Sequence, residues 1–504
     1  MIDLGNFFSI RIVVVAFILC CSHNLGSQEN ERNESNNFYD KKASIQRQIL
    51  VNKLQKLIFN VKINTTKSAL TFPKQSIILS NFIFDFVALF KIKANPSPIQ
   101  LIEKETVENL PSIQAFKKEM VEASPSIQVF DPKAVESLLI KSLEFISNGQ
   151  LDKAINTIDK LIELVPNFKL AHLIRGDILA AYSMNIDNFG GNAIEMNSKK
   201  VTELKKEAKR RIKGFLITHK DNGLPKFNVI PNKNDKYLIY VDMDSSRLFV
   251  FERREKKYIY HSDYYASIGK NGYGKKYEGD KKTPFGTYFL QKKIERKLID
   301  FYGEGAYPLN YPNVFDKLKN YTGYGIWIHG TPKTTYSRPP ESSDGCIVLS
   351  NKDLISIQKI LNTPGTPVIL SNLSINELIL RSRKDIKKDQ DELINTIKKW
   401  KSSWAKKDYK KYITFYSPNA KYNKKEFKIW AEDKKRIFKS SKDIQILLND
   451  ISVYEYPSKT NPLRIVLFNQ NYSSNLLINE SKKTQMWEKY DGQWKIIYEG
   501  TNKH

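Results

Sequence analysis

The chain sets one histidine and one cysteine in surroundings that favour chemistry. The histidine lies in Ile328-His329-Gly330-Thr331-Pro332, the cysteine in Ser342-Ser343-Asp344-Gly345-Cys346-Ile347-Val348-Leu349. Cys346 is the sole cysteine outside the N-terminus, where Cys20 and Cys21 lie. A free thiol has a pKa of about 8.5 and is a weak nucleophile at neutral pH, so a catalytic one needs an imidazole or other positive group to hold it as thiolate. His329 is the candidate base. Gly345 permits a tight turn and close approach of a substrate, and Ile347-Val348-Leu349 reads as a strand that holds the turn in place.

A cysteine and a histidine taken at random are more often a small buried hydrophobe and a satisfied core residue. Here the surroundings argue otherwise. Tyr324-Gly325-Ile326-Trp327-Ile328 reads as a short apolar strand delivering His329 to its end, and the stretch from Thr331 to Glu341, with Pro332, Pro339 and Pro340, reads as an exposed loop. Sites are built at strand ends and on loops.

A second block lies upstream. Ser267-Ile268-Gly269-Lys270-Asn271-Gly272 is a glycine-rich turn, and Glu278 to Tyr288 contains Thr283-Pro284-Phe285-Gly286-Thr287-Tyr288. Together with His-Gly-Thr and Ser-x-Gly-Cys, these segments resemble the L,D-transpeptidase catalytic domain family of bacterial cell-wall enzymes, over about residues 236–372. The resemblance implies a β-rich mixed-sheet domain in which Cys346 attacks a carbonyl of a peptidoglycan stem peptide, giving a thioester acyl-enzyme with His329 as base. It also implies that the backbone around Gly345 and Cys346 stabilises the oxyanion and that Gly330 orients the histidine through its carbonyl. Ser343, Asp344 and Arg338 are expected to line the substrate pocket.

Position 344 departs from the pattern, since many members carry Ser-His-Gly-Cys. An aspartate beside the thiol raises its pKa by like-charge repulsion, unless it points away or pairs with Arg338 or a nearby lysine. The aspartate form resembles a branch that includes L,D-carboxypeptidases acting in cell-shape control. The expected activity is an exported peptidoglycan L,D-transpeptidase; the alternatives are an L,D-carboxypeptidase that trims stem peptides and a non-catalytic wall-binding scaffold.

Other chemistries find little support. The histidines, His23, His172, His219, His261, His329 and His504, are scattered without metal-ligand spacing and the cysteines form no C-x-x-C, so neither a metal nor a cofactor is expected. Gly269-x-x-Gly272-x-Gly274 lacks the lysine-serine ending of a phosphate loop and reads as an ordinary loop. The 81 basic and 54 acidic residues give a net charge of +27. No nucleic-acid motif accompanies that charge, which fits anionic lipids and wall polymers or a lysine-rich composition equally well.

The N-terminus carries Ile12 to Cys21, a short apolar core behind Arg11, expected to be a signal peptide or anchor over residues 1–22 and a route to the periplasm or envelope membrane. Residues 23–133 read as polar, helical or linker sequence, with an apolar stretch from Ser76 to Phe90 and a degenerate repeat at Ile99, Ile113 and Ile127. Residues 134–183 resemble a tetratricopeptide hairpin, with Phe145, Gly149, Ala154 and Pro166 in its register. Residues 184–235 read as a linker with a helix. Residues 385–504, a lysine-rich amphipathic helix followed by strands and an Asp491-Gly492 hairpin turn, resemble an α+β nuclear transport factor 2-like domain whose aromatics form its core. Either accessory region is a candidate surface for a protein partner.

Overall fold

The computed structural model describes residues 132–501, apart from 185, 187–188, 191–197, 219–224, 256, 296–297, 423–424 and 459. The expected signal peptide, the polar region that follows it and the repeat at Ile99 to Ile127 therefore lie outside the described residues. No helix among the described residues is long and apolar enough to cross a membrane.

Four helices come first: α1 (Pro132–Ser147), α2 (Leu151–Leu164), α3 (Lys169–Ala181) and α4 (Ser198–Thr218). Leu139, Leu143 and Ile146 on α1 meet Ala154, Ile158 and Leu161 on α2, because helical spacing stacks each set on one face. Gly149 closes the turn between them at φ +69°, a conformation that glycine adopts without penalty. The hairpin lies where the sequence predicts helices.

The catalytic segment contains β1 (Val229–Ile230), β2 (Tyr237–Asp242), β3 (Arg247–Arg254), β4 (Lys257–Tyr265), β5 (Ile268–Gly269), β6 (Gly286–Phe289), β7 (Ala306–Pro308), α5 (Val314–Leu318), β8 (Trp327–His329), β9 (Glu341–Ser343), β10 (Ile347–Val348), α6 (Asn351–Ser356), α7 (Gln358–Leu361), β11 (Pro367–Ser371) and α8 (Ile375–Leu380). Its main sheet runs β4-β3-β2-β11-β6, with β2 and β11 parallel. Strand alternation sends Ile239, Val241, Leu248 and Val250 into one core and Leu238, Tyr240, Phe249 and Phe251 into another, so both faces are covered. A smaller sheet, β10-β8-β7, lies over the first core through Ile328, Ile347 and Leu349.

The C-terminal domain has α9 (Arg383–Ala405), α10 (Tyr409–Ile413), β12 (Lys421–Tyr422), β13 (Lys425–Glu426), α11 (Phe427–Ser440), β14 (Gln445–Tyr456), β15 (Leu463–Ser473), β16 (Ile478–Tyr490) and β17 (Gln493–Thr501). Its antiparallel sheet wraps a core containing Trp400, Tyr412, Tyr416, Trp430 and Trp487, so the aromatic stripe is interior packing. The hairpin turn forms as its residues predict, with Asp491 and Gly492 both at positive φ. One feature escapes sequence reading: β1, in the expected linker, pairs with β14 and completes the edge of this sheet. The C-terminal domain also meets the catalytic segment where Arg381, directly after α8, pairs with Glu455 on β14 at 2.7 Å. The architecture is thus a helical region, a β-rich mixed-sheet domain and an α+β C-terminal domain.

Candidate active site

Strand pairing brings the histidine and the cysteine together. β10 runs parallel to β8, with Ile347 opposite Ile328 and Val348 opposite His329. Cys346 precedes Ile347 and thus stands level with Trp327, two residues back from His329. Side chains two residues apart along paired strands share a face, so Cys346 and His329 look to the same side with their Cα atoms roughly 8 Å apart. The spacing suits a bulky imidazole and a small thiol.

His329 is almost wholly buried, at 1% exposure. Its Nδ1 lies 2.7 Å from the carbonyl oxygen of Gly330. A carbonyl only accepts, so Nδ1 carries the proton and Nε2 keeps its lone pair for the thiol side. The Gly330 carbonyl is thus placed to fix the orientation of the ring. Burial lowers the histidine pKa to about 4, with Arg338 lowering it further and the Gly330 hydrogen bond opposing. The ring is neutral at physiological pH. Phe301 and Tyr302 flank it, with centroids 6.0 and 5.1 Å away.

The thiol of Cys346 donates to the carbonyl oxygen of Gly325 at 3.3 Å, not to His329. Burial pushes its pKa up to about 11, against a lowering hydrogen bond from the Trp327 backbone; Asp344 raises it, and Arg338 and Lys275 lower it. Burial thus favours the neutral form of both groups, so His329 offers Cys346 a basic lone pair more readily than a positive charge. The resting pair is thiol and imidazole.

The turn before the nucleophile depends on glycine. Gly345 sits at φ +125°, and a Cβ there would meet the Lys282 carbonyl oxygen at 2.8 Å. Ser343, expected in the substrate pocket, turns inward instead: its Oγ donates to the Cys346 carbonyl oxygen at 2.6 Å and accepts from the Gly345 N–H at 3.1 Å. That bond also occupies the N–H expected to serve an oxyanion. Asp344 stands at the exposed rim, and of the partners left open by the sequence it takes Lys270, at 3.1 Å.

Arg338 does face the site. Its guanidinium lies 4.3 Å over the Phe301 ring, and its backbone carbonyl accepts from Tyr265 and Ser267 at 2.9 and 3.0 Å.

Three supports escaped sequence reading. Asn351 receives the Glu304 and Thr331 N–H groups at 3.1 and 3.2 Å and donates to the Thr331 carbonyl at 2.7 Å, tying the residue after Gly330 to the backbone at Glu304. Its place directly after the strand and helix cap is the signal available. Phe301 and Tyr302 belong to an aromatic pair before Gly303 in a polar stretch. Lys275, directly after the Gly269 to Gly274 segment that reads as an ordinary loop, is buried beside Asp280 at 2.9 Å.

Family comparison agrees with this geometry. Residues 236–370 match the L,D-transpeptidase catalytic domain, YkuD, and residues 392–500 match the Cds6 C-terminal NTF2-like domain. Among solved structures, the helical cell shape determining protein Pgp2 from Campylobacter jejuni is 26% identical, covering 57% of this chain and 99% of that one, with a TM-score of 0.48. Bd1075 from Bdellovibrio bacteriovorus is 29% identical over 55% of this chain and 97% of that one, with a TM-score of 0.46. An L,D-transpeptidase from Mycobacterium smegmatis is 18% identical over 27% of this chain and 58% of that one, with a TM-score of 0.18. No curated protein matches the chain. The family matches place a cysteine peptidoglycan-modifying domain of the L,D-transpeptidase family at residues 236–370 of this chain, followed by an NTF2-like domain at 392–500.

Proposed function

We propose that the protein is an exported L,D-transpeptidase acting on peptidoglycan stem peptides through a Cys346 thioester. The observation that carries this reading is the register of β8 and β10, which puts Cys346 and His329 on one side, with the Nδ1 of His329 engaged by the Gly330 carbonyl so that Nε2 is the basic nitrogen. As the substrate carbonyl approaches, the thiol proton passes to Nε2 while sulfur bonds to the carbonyl carbon. The oxyanion that forms is met by the Cys346 N–H, since that of Gly345 is already engaged. Collapse expels the amine of the following residue, which takes the proton from His329 and leaves the thioester. An acceptor amine then attacks, giving its proton to His329, and the thiol is restored. Arg338, a cation held near the thiol, receives the terminal carboxylate of the donor peptide. The apolar core after Arg11 directs export to the envelope.

A second reading, hydrolysis of the same thioester by an L,D-carboxypeptidase, is favoured by one observation, the aspartate at position 344 in place of the commoner histidine. Incubation with tetrapeptide muropeptides and mass analysis separates the outcomes. Cross-linked dimers support the transpeptidase, shortened monomers the carboxypeptidase, and an unchanged mixture the non-catalytic scaffold. Cys346→Ala should abolish either product with the fold intact.

A further inference from the structure

The helical region grips the loop that carries Arg338. Tyr336 leaves the catalytic domain to enter the helical core, its ring 4.8 Å from that of Phe168. The neighbouring Ser337 donates from Oγ to Glu207 Oε1 on α4 at 2.7 Å. Glu207 in turn holds Arg211 one turn along α4, at 2.9 Å. Arg211 is 2% exposed, pairs also with Glu136 on α1, and stacks 4.0 Å over the Tyr265 ring. The Tyr265 hydroxyl closes the circuit by donating to the Arg338 carbonyl at 2.9 Å. Farther along the loop, Asn167 donates to the Lys333 carbonyl at 3.1 Å, and Arg210 reaches Glu341 at 3.6 Å.

A buried ion pair of this kind is costly to assemble and specifies geometry more than it stabilises. What it specifies here is a loop. Arg338 lies between a residue tied to α4 and two prolines, so its backbone has little freedom, and its guanidinium is set against Phe301, which borders His329.

We infer that Glu207 and Arg211 are positioning residues of the active site, holding the loop from Thr331 to Glu341 so that Arg338 stands as a cation beside Cys346. The helical region is on this view a part of the catalytic apparatus. The inference rests on the proposed reading only for the use made of Arg338, and its test needs no turnover.

The test compares alkylation of Cys346 in the full chain by iodoacetate, an anion, and by iodoacetamide, its neutral counterpart, followed on the Cys346 peptide by mass spectrometry. A cation beside the thiol favours the anionic reagent. Arg338→Gln sets the lower limit of the rate ratio, about threefold or more below the parent. Ser337→Ala and Glu207→Gln should move the ratio towards that limit while the iodoacetamide rate changes less than about twofold, and Ser337→Thr should restore it. A lowered melting temperature with a parental ratio in Ser337→Ala would overturn the inference, since a merely structural tie would behave in that way. If Glu207→Gln fails to fold, Ser337→Ala decides alone. Loss of muropeptide turnover with a normal ratio shift would count against the proposed function and leave the positioning role standing.

Discussion

Thr283 Oγ1 donates to the carbonyl oxygen of Gly345 at 3.1 Å, tying the upstream Thr-Pro block to the turn that presents the nucleophile. Thr283 Oγ1 in turn accepts the N–H of Gly269 at 2.9 Å, where any Cβ would stand 2.4 Å from the Lys281 carbonyl oxygen. Two motifs far apart in the chain thus share one fully buried hydroxyl.

Replacing it tests the coupling. Thr283→Val keeps the shape and leaves a buried N–H and a buried carbonyl without this partner, a loss of about 1–3 kcal/mol. The denaturant midpoint should fall accordingly. Thioester formation should slow further than destabilisation alone explains, because the Gly345 turn loses an anchor. A normal acylation rate in the folded variant would show that the turn holds its geometry without Thr283.

The protonation states make a separate prediction. With the thiol near 11 and the imidazole near 4, the free enzyme holds no thiolate and imidazolium pair at neutral pH. Iodoacetamide labelling of Cys346 should climb steadily through pH 8 to 10 with no plateau near neutrality. His329→Ala should leave that profile nearly unchanged and abolish turnover, because the imidazole acts only once substrate is bound. A neutral plateau that disappears in His329→Ala would restore the preformed ion pair.

Stability should follow the same histidine. Its folded pKa, about 4, lies below the ordinary value near 6.5, so the native state excludes a proton that the unfolded chain binds. The contribution is fully present above about pH 6.5 and is lost as pH falls towards 4. His329→Gln, which cannot charge, should lose less stability than the parent across that window. Melting temperatures at several pH values check the difference, and parallel declines would remove His329 as its source.

The site was legible where its chemistry is contiguous in sequence. His329 and Cys346 sit in short motifs with an apolar run beside each, and strand pairing then needs only those runs. The protonation states were not legible, because they depend on burial, which the chain creates from Phe301, Tyr302 and the strands around them. Glu207 and Arg211 were hidden for a related reason. A lysine- and arginine-rich helix reads as a solvated face, and only the packing of Phe168, Tyr265 and Tyr336 around Arg211 makes it interior. β1, two residues long, has no periodicity to read, and its edge pairing is set by β14. Helical hairpin and aromatic core, by contrast, follow from spacing, since burial of each needs only a face.

Acceptor choice is tested at Asp344. Its carboxylate pairs with Lys270 at the rim, with side-chain exposures of 65% and 50%, so the pair contributes little to stability and is open to exchange. Asp344→His should change stability by no more than about 0.5 kcal/mol. Acylation should also change little, because burial and not Asp344 is the main reason the thiol pKa is high. The second half-reaction is where the side chain can act, since an imidazole at the rim can take a proton from an incoming amine. The ratio of cross-linked to hydrolysed product should therefore rise in Asp344→His at an unchanged rate of thioester formation, with the two measured separately because they report different steps. Lys270→Met provides the complementary arm: it frees the carboxylate to attract a cationic amine, and should raise the same ratio by a different route. An unaltered ratio in both variants, with normal acylation, would move control of the acceptor away from the rim and into the substrate pocket or the C-terminal domain.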